Sequence, residues 1–387
     1  MNQFLVSLRR HGRQYGLVLA VGAIIVLFQF LTNGILLRPL NVTNLILQNG
    51  YVLILAMGML FIILTGRIDL SVGSTVAFVS AVTGLVMVEY DMGAVAAVII
   101  GLLVGVIIGA WHGMWTAYVG VPAFITSLSG MLIFRGLTIA ALEGSTLGPL
   151  DPMFQAISTS FVPDLLNAEG INATALLVGL VLFAYLVVSE ILRRQDTKRH
   201  GFKISSVGYF VAKLVTMFAG IMALSYLLAA YNGIPTLFIL LVALVFFYSF
   251  ITNRTVIGRR IYALGGNEPA ARLSGINTRW LVFLTNVNLQ VLSAIAGIVF
   301  AARLNAATPK AGVGFELDAI AAVFIGGASV SGGTGTVVGA LLGTLIMGVM
   351  NNGMSILGVS IDYQQAIKGL VILLAVAIDV QLKNQKA

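Results

Sequence analysis

The chain is a succession of long apolar runs separated by short polar segments. A membrane-spanning helix needs about 20 mostly apolar residues, and on that rule the pattern predicts twelve spans. They cover residues 15–37, 50–66, 71–88, 93–115, 122–142, 173–192, 207–230, 234–252, 280–302, 317–333, 335–357 and 363–381. The tenth run is short and interrupted by glycines, which predicts a broken or re-entrant helix.

Composition fixes the class of protein. Of 387 residues, 59% are hydrophobic and 9% are charged, which is typical of an all-α polytopic membrane protein. The chain has no cysteine, so disulfides and Cys-ligated metals are excluded. It also lacks a phosphate-binding GxxxxGK[ST], an HExxH and a GxSxG sequence. We therefore expect neither an enzyme nor a metal protein, and no cofactor bound by this chain.

The distribution of basic residues predicts the topology. With the N-terminus inside and the spans alternating, only Arg38, Arg303 and Lys310 fall in outside segments. Cytoplasmic segments of membrane proteins are enriched in Lys and Arg. We expect both termini in the cytoplasm of a bacterial cell, with the chain in the inner membrane. The net charge of +8 belongs to these loops and does not indicate nucleic-acid binding.

A long polar interval at residues 253–279 falls on the cytoplasmic side. It holds five arginines and one acid. Asn267 can cap a helix, Pro269 suits its first turn, and Gly275 can end it. The interval is either a solvated loop that obeys the charge rule or a surface that contacts a cytoplasmic partner.

Polar residues inside the predicted spans need an explanation, because unpaired polar groups in lipid are costly. Asp69 and Ser71 can cap the following helix or contact a ligand. Arg135 can extend its side chain to the membrane surface or line a path. We expect Lys213 and Lys368 to extend toward the membrane surface.

Two rows of glycine repeat every four residues, at Gly101, Gly105, Gly109 and Gly113 and at Gly335, Gly339 and Gly343. That spacing places them on one helix face, where a neighbouring backbone can approach closely. We expect both rows to serve helix packing.

Three sequences together resemble a known family. Residues 68–74 read IDLSVGS, residues 261–277 read IYALGGNEPAARLSGIN, and residues 316–333 contain ELDAIAAV, IGG and SGG. They are similar to the permease subunits of bacterial sugar ABC importers, in the ribose, arabinose, galactose and xylose branch. The similarity covers nearly the whole chain.

The resemblance implies that 253–279 is the coupling loop that docks on a separate ATPase. The implied coupling residues are Gly266, Asn267, Glu268, Ala271, Arg272 and Gly275. The family pattern is Glu-Ala-Ala-x-x-x-Gly, and this chain departs from it. Glu268 stands seven residues before Gly275 instead of six, and Pro269 follows it.

Shorter members of the family have ten spans. The segment 173–230, with its basic connector from Arg193 to Lys203, therefore resembles an inserted helix pair within a single transmembrane domain of residues 1–387. Chains with such an additional helix pair resemble xylose-type permeases most.

The resemblance implies monosaccharide import, with xylose favoured, by a homodimer in the lipid membrane with the path between the copies. ATP and Mg²⁺ would bind a cytoplasmic, tandem double-length ATPase, and a periplasmic sugar-binding protein would deliver the sugar. We expect the path to be lined by Asp69, Ser71, Phe124, Thr126, Arg135, Asn286 and Asn351.

Other functions stay open at this point. Another monosaccharide or a multiple-sugar importer fits the same family. A proton-coupled sugar carrier also has twelve spans, but no carboxylate lies clearly at mid-membrane, which argues against it. A membrane enzyme or a scaffold is the third class, and the missing catalytic residues argue against the enzyme.

Overall fold

The computed structural model describes residues 2–166, 170–201 and 206–384, with side chains from residue 16 to 377 within those ranges and at residue 381. In these ranges the chain is helical, and two isolated β-bridges join Leu147 to Ala307 and Phe161 to Pro235. The helices are α1 (Asn2–Leu31), α2 (Pro39–Leu64), α3 (Val72–Val88), α4 (Ala94–Gly113), which a π-helical turn (Met114–Val119) continues, α5 (Ala123–Ala141), α6 (Pro152–Thr159), α7 (Ala173–Arg199), α8 (Val207–Ala229), α9 (Thr236–Arg254), α10 (Val256–Gly266), α11 (Glu268–Leu273), α12 (Thr278–Leu304), α13 (Phe315–Ile325), α14 (Val337–Ile356) and α15 (Ile361–Asn384).

Eight helices in the described ranges are long and apolar enough to cross a membrane. They are α2, α4 with its π-turn, α5, α7, α8, α9, α12 and α14. The other four predicted spans correspond to α1, α3, α13 and α15. The protein is an all-α polytopic membrane protein, as predicted.

Two of the predicted spans are too short to cross the membrane as single helices. The 17 residues of α3 and the 11 of α13 extend about 25 and about 16 Å, against a hydrocarbon core of about 30 Å. After α13 the chain turns through Gly327, at φ +88°. It then returns antiparallel in α14, with Gly339 beside Gly326 and Gly343 beside Ala322. The interruption predicted in the tenth span is therefore confirmed, but Gly335 lies before α14 and not in the helical glycine row.

The two short helices begin at the same place. Gly73 at the start of α3 lies directly against Gly312, just before α13, and a methyl group on either residue would overlap the other's carbonyl oxygen. Ser71 beside this point contacts Gln290, near the middle of α12. Non-helical backbone at such a depth is tolerated where protein surrounds it, and Ser71 is fully buried.

The first glycine row packs α4 against α12, as predicted. A methyl group on Gly105 would lie 2.6 Å from the Cβ of Ala294, and one on Gly109 would lie 2.6 Å from the Cα of Val287. The core next to this contact is α2, whose residues from Val52 to Leu64 are almost entirely buried. A helix that is apolar on all sides is buried on all sides.

The chain forms two compact units. One comprises Met1–Leu36, Leu45–Thr159 and Leu237–Ala387, and the other comprises Leu37–Asn44 and Ser160–Thr236. Within the second unit α7 and α8 pack antiparallel, with Phe183 against Phe218 at 4.9 Å between ring centroids. The insertion of 173–230 stays a prediction, and Lys203 of its connector lies outside the described residues.

Lys213, within the second unit, does not simply extend to the membrane surface. Its ammonium lies 2.7 Å from a carboxylate oxygen of Glu190 on the facing helix. The pair gives this lysine a structural role, and its partner was not predicted because Glu190 lies on another span, outside the reach of local spacing.

Lys368 is paired as well. Its Nζ lies 2.9 Å from Oδ1 of Asp318, which is 2% exposed, and the Tyr51 hydroxyl donates to the other carboxylate oxygen at 3.1 Å. A buried carboxylate is tolerated where a charge partner and hydrogen bonds compensate it. The pair ties short α13 to α15 and corrects the interpretation of Lys368 as a side chain that only reaches the surface.

We predict that Lys368→Met destabilises the protein strongly. It leaves Asp318 buried without its counter-charge, and breaking such a pair costs about 3–5 kcal/mol. The thermal midpoint of the purified protein in detergent should fall by several degrees. The double variant Lys368→Met with Asp318→Asn should recover most of the loss. Equal midpoints for Lys368→Met and the parent chain would contradict a role for the pair.

Candidate functional site

The predicted helix in the polar interval is present. The Asn267 side chain accepts a hydrogen bond from the Ala270 N–H at 2.9 Å, and Pro269 lies in the first turn of α11. Gly275 has φ +81°, and the N–H of Ile276 donates to the carbonyl of Ala271 at 3.1 Å. This is the glycine-ended helix terminus that the sequence predicted.

A basic surface surrounds α11. Arg259 and Arg260 on α10, and Arg272 on α11, are exposed. Leu273, at the end of α11, is 90% exposed. Sequence reasoning missed Leu273, because its helix-forming preference says nothing about where it points. A large apolar side chain among arginines suits contact with another protein.

The other predicted coupling residues lie in different environments. Ala271 is the buried residue of α11 and forms its inward-facing side. Gly266 and Gly275 have open space where a side chain would begin.

Backbone contacts fasten this surface to the membrane helices. A methyl group on Gly265 would overlap the carbonyl oxygen of Leu64 at the end of α2, and the same oxygen accepts from the Gly333 N–H at 2.9 Å. The Tyr262 hydroxyl donates to the carbonyl of Gly335 at 2.8 Å, and burial raises the pKa of this phenol above its ordinary value. Gly66, just before residues 68–74, lies against Gly332. The family sequences at 261–277 and 316–333 therefore meet next to the start of the third.

Glu268 is engaged within the chain. One carboxylate oxygen lies 3.1 Å from Nη2 of Arg67, and the other lies 3.4 Å from Nη2 of Arg272. Arg67 also donates to the carbonyl of Thr65 at 2.9 Å. The Glu268 side chain is 36% exposed, so each pair contributes no more than about 1 kcal/mol. The displaced acid thus joins α11 to the segment that follows α2.

That segment carries Asp69 and Ser71. Oδ1 of Asp69 accepts from the Ser71 N–H at 2.7 Å and from its hydroxyl at 2.6 Å. The Gln290 amide donates to Oδ2 of Asp69 at 3.2 Å and to Ser71 Oγ at 2.9 Å. These four hydrogen bonds stabilise the buried cluster of Asp69, Ser71 and Gln290. Ser71, not Asp69, is the residue immediately before α3.

Asp69 lines a narrow crevice together with Thr126 and Asn286. His112 lies in the same crevice, fully buried, and neither of its ring nitrogens has a hydrogen-bond partner among the described residues. The structure thus brings together Asp69, Ser71, Thr126 and Asn286, and adds His112 and Gln290. Gln290 belongs to a cluster of amide side chains in the sequence of α12, but the sequence contains no signal that predicts its contact with Asp69.

Three predicted path residues lie elsewhere. Arg135 donates to the carbonyl oxygen of Ala311 at 2.6 Å and supports the loop before α13. Phe124 is 55% exposed on α5. Asn351 donates to Asn49 on α2 at 3.5 Å. The path role of all seven residues stays a prediction.

Two buried carboxylates bear on the proton-coupled carrier, which the sequence disfavoured because no carboxylate lies clearly at mid-membrane. Asp69 and Asp318 are 3% and 2% exposed. They contact Gln290 and Tyr51, which lie near the middle of α12 and α2. A carboxylate is therefore present in the interior, and its absence no longer counts against such a carrier. Within the described ranges, no group of three or more His, Asp or Glu could hold a metal ion.

Comparison with known proteins identifies the family. Residues 41–376 match the family described as branched-chain amino acid transport system / permease component. The chain belongs to this permease family. No solved structure matches it.

Its relatives include sugar permeases. It is 38% identical over 372 residues to the xylose transport system permease protein XylH of Escherichia coli, covering 95% of this chain and 92% of that protein. It is 36% identical to XylH of Haemophilus influenzae, over 96% and 97% of the two chains. It is also 36% identical to the ribose import permease protein RbsC of Bacillus subtilis, over 92% and 89%.

We predict that two adjacent glycines respond differently to alanine. Gly265→Ala forces α10 away from the end of α2, because its methyl group meets the Leu64 carbonyl. Gly266→Ala should be tolerated, since the space there is open. Limited proteolysis within 253–279 should be at least about tenfold faster for Gly265→Ala only, as expected for an opening made easier by about 1.4 kcal/mol. Equal cleavage of the two variants would contradict the contact.

Proposed function

We propose that the chain is the membrane-spanning permease of an ATP-binding-cassette importer that carries a monosaccharide, xylose favoured, into the cell. The observation that carries the proposal is the similarity to xylose permeases over almost the full length of both chains. The ribose permease is nearly as similar in identity, so ribose is the second candidate sugar.

The proposed assembly follows from that family. Two copies form the path, a cytoplasmic ATP-binding subunit of tandem double length binds ATP and Mg²⁺, and a periplasmic protein delivers the sugar. This chain hydrolyses nothing and lies in the inner membrane with both termini in the cytoplasm.

The surface of α10 and α11 supports a docking role. It exposes several arginines and Leu273, and it rests on the end of α2 through main-chain contacts. A partner that pushes on α11 acts on Arg67 through Glu268. The chain from Arg67 to Asp69 then carries the displacement to the start of α3. This is a short mechanical connection between a cytoplasmic partner and the crevice.

Transport in proteoliposomes tests the function. The complete importer, with ATPase and binding protein, is reconstituted with its cytoplasmic face toward the vesicle lumen. It should accumulate labelled D-xylose only when ATP is enclosed in the lumen. D-ribose added in excess should compete less well than unlabelled D-xylose. Uptake driven by a proton gradient, without ATPase or binding protein, would establish the secondary carrier instead.

We predict that Gly275→Val uncouples ATP hydrolysis from uptake. A β-branched residue resists φ +81°, whereas Asn tolerates this conformation. Gly275→Asn should therefore retain most uptake, and Gly275→Val should hydrolyse ATP with uptake reduced about tenfold or more, which corresponds to the roughly 1–2 kcal/mol of left-handed strain. Both variants have open space for the side chain, so the comparison isolates the backbone. Wild-type uptake by Gly275→Val would exclude a need for the helix end.

A further inference from the structure

A second cavity lies between α2 and α12, away from the crevice at Asp69. Its volume is about 340 Å³, and its lining includes Gln48, Tyr51, Phe300 and Arg303, together with Leu47, Val299 and Leu304. Small-molecule sites in proteins range from about 300 to about 1,000 Å³. The cavity is near the end of α12, which the charge distribution predicts to be extracytoplasmic.

The guanidinium of Arg303, which lines this cavity, has a donor without a partner in the described part of the chain. Nη1 of Arg303 is buried, with no hydrogen-bond partner among the described residues, and a buried unpaired donor of this kind is costly. Gln48 is exposed beside it. An amide and a guanidinium provide several donors and one acceptor, the mixture that hydroxyl groups can satisfy.

The apolar wall of the cavity is aromatic. The rings of Tyr51 and Phe300 meet edge to face with centroids 6.2 Å apart, and Tyr51 stacks on Phe315 at 3.8 Å. These contacts, and the hydrogen bond from Tyr51 to Asp318, fix the wall rigidly. Ligand sites are typically aromatic surfaces with a few placed polar groups.

We propose that this cavity is an outer sugar-binding site, in which Arg303 and Gln48 bind hydroxyls of a monosaccharide and the rings of Tyr51 and Phe300 contact its apolar face. The proposal rests on the proposed function and adds the place where sugar first meets the permease. An amino acid fits less well, because Asp318, the carboxylate that contacts Tyr51 of this wall, is already paired with Lys368.

The chain has no cysteine, so labelling of a single introduced thiol can be followed on this chain, separated from its partners by electrophoresis. In proteoliposomes that hold the complete importer, Gln48→Cys should react with an external, membrane-impermeant thiosulfonate. D-xylose or D-ribose at millimolar concentration should slow the reaction several-fold, and leucine should not. Lys310→Cys is the control: Lys310 is exposed in the loop after α12, and its thiol should react equally with and without sugar.

Arg303→Met provides an independent measurement. Loss of a charged hydrogen-bond donor should raise the sugar concentration for half-maximal uptake about tenfold. Lys310→Met removes the same charge and should leave uptake unchanged.

The outcomes separate this proposal from the function itself. ATP-driven uptake by the parent chain, together with a Gln48→Cys thiol that sugar does not protect and normal uptake by Arg303→Met, would overturn the site alone. Protection by leucine but not by sugars would overturn the ligand class. Absence of ATP-driven uptake by the parent chain would overturn the proposed function.

Discussion

The carbonyl oxygen of Leu64 is the contact on which the position of α10 and α11 depends. It accepts a hydrogen bond from Gly333 and lies against Gly265 with no room for a side chain. Helix α10 and the glycine segment after α13 thus both contact one atom at the end of the spanning helix α2. Since the contact is backbone on backbone, it is stiff: there is no rotatable side chain to absorb a displacement. The Glu268–Arg67 pair adds a second, weaker connection beside it.

The membrane interior has a comparable contact. Two short helices, α3 and α13, begin where Gly73 meets Gly312. Starting a helix inside protein leaves its first N–H groups without helical partners. Asp69 satisfies one of them through Ser71, which explains why a carboxylate and a hydroxyl stand two residues apart at this depth. Discontinuous helices of this type occur at the binding sites of other transporters.

Sequence patterns predicted the apolar segments, the close packing of α4 through its glycine row, and the cap and stop of α11, because each follows from local spacing. They could not predict depth. An apolar run of adequate length is interpreted as a span, so neither the shortness of α3 nor the position of Asp69 could be predicted. Pairing across the chain was equally hidden: Lys368 and Asp318 are 50 positions apart, and Arg67 and Glu268 are 201 apart. Leu273 and Arg303 were missed because exposure and unsatisfied donors are properties of the assembled fold.

The all-backbone character of the contact at Leu64 has an evolutionary consequence. A joint made of main-chain atoms places almost no demand on the identity of the side chains that point away from it. Substitutions at Arg259, Arg260 and Leu273 leave this joint intact, whereas a side chain at Gly265 displaces α10. The exposed surface can therefore change its chemistry without redesign of the membrane helices beneath it.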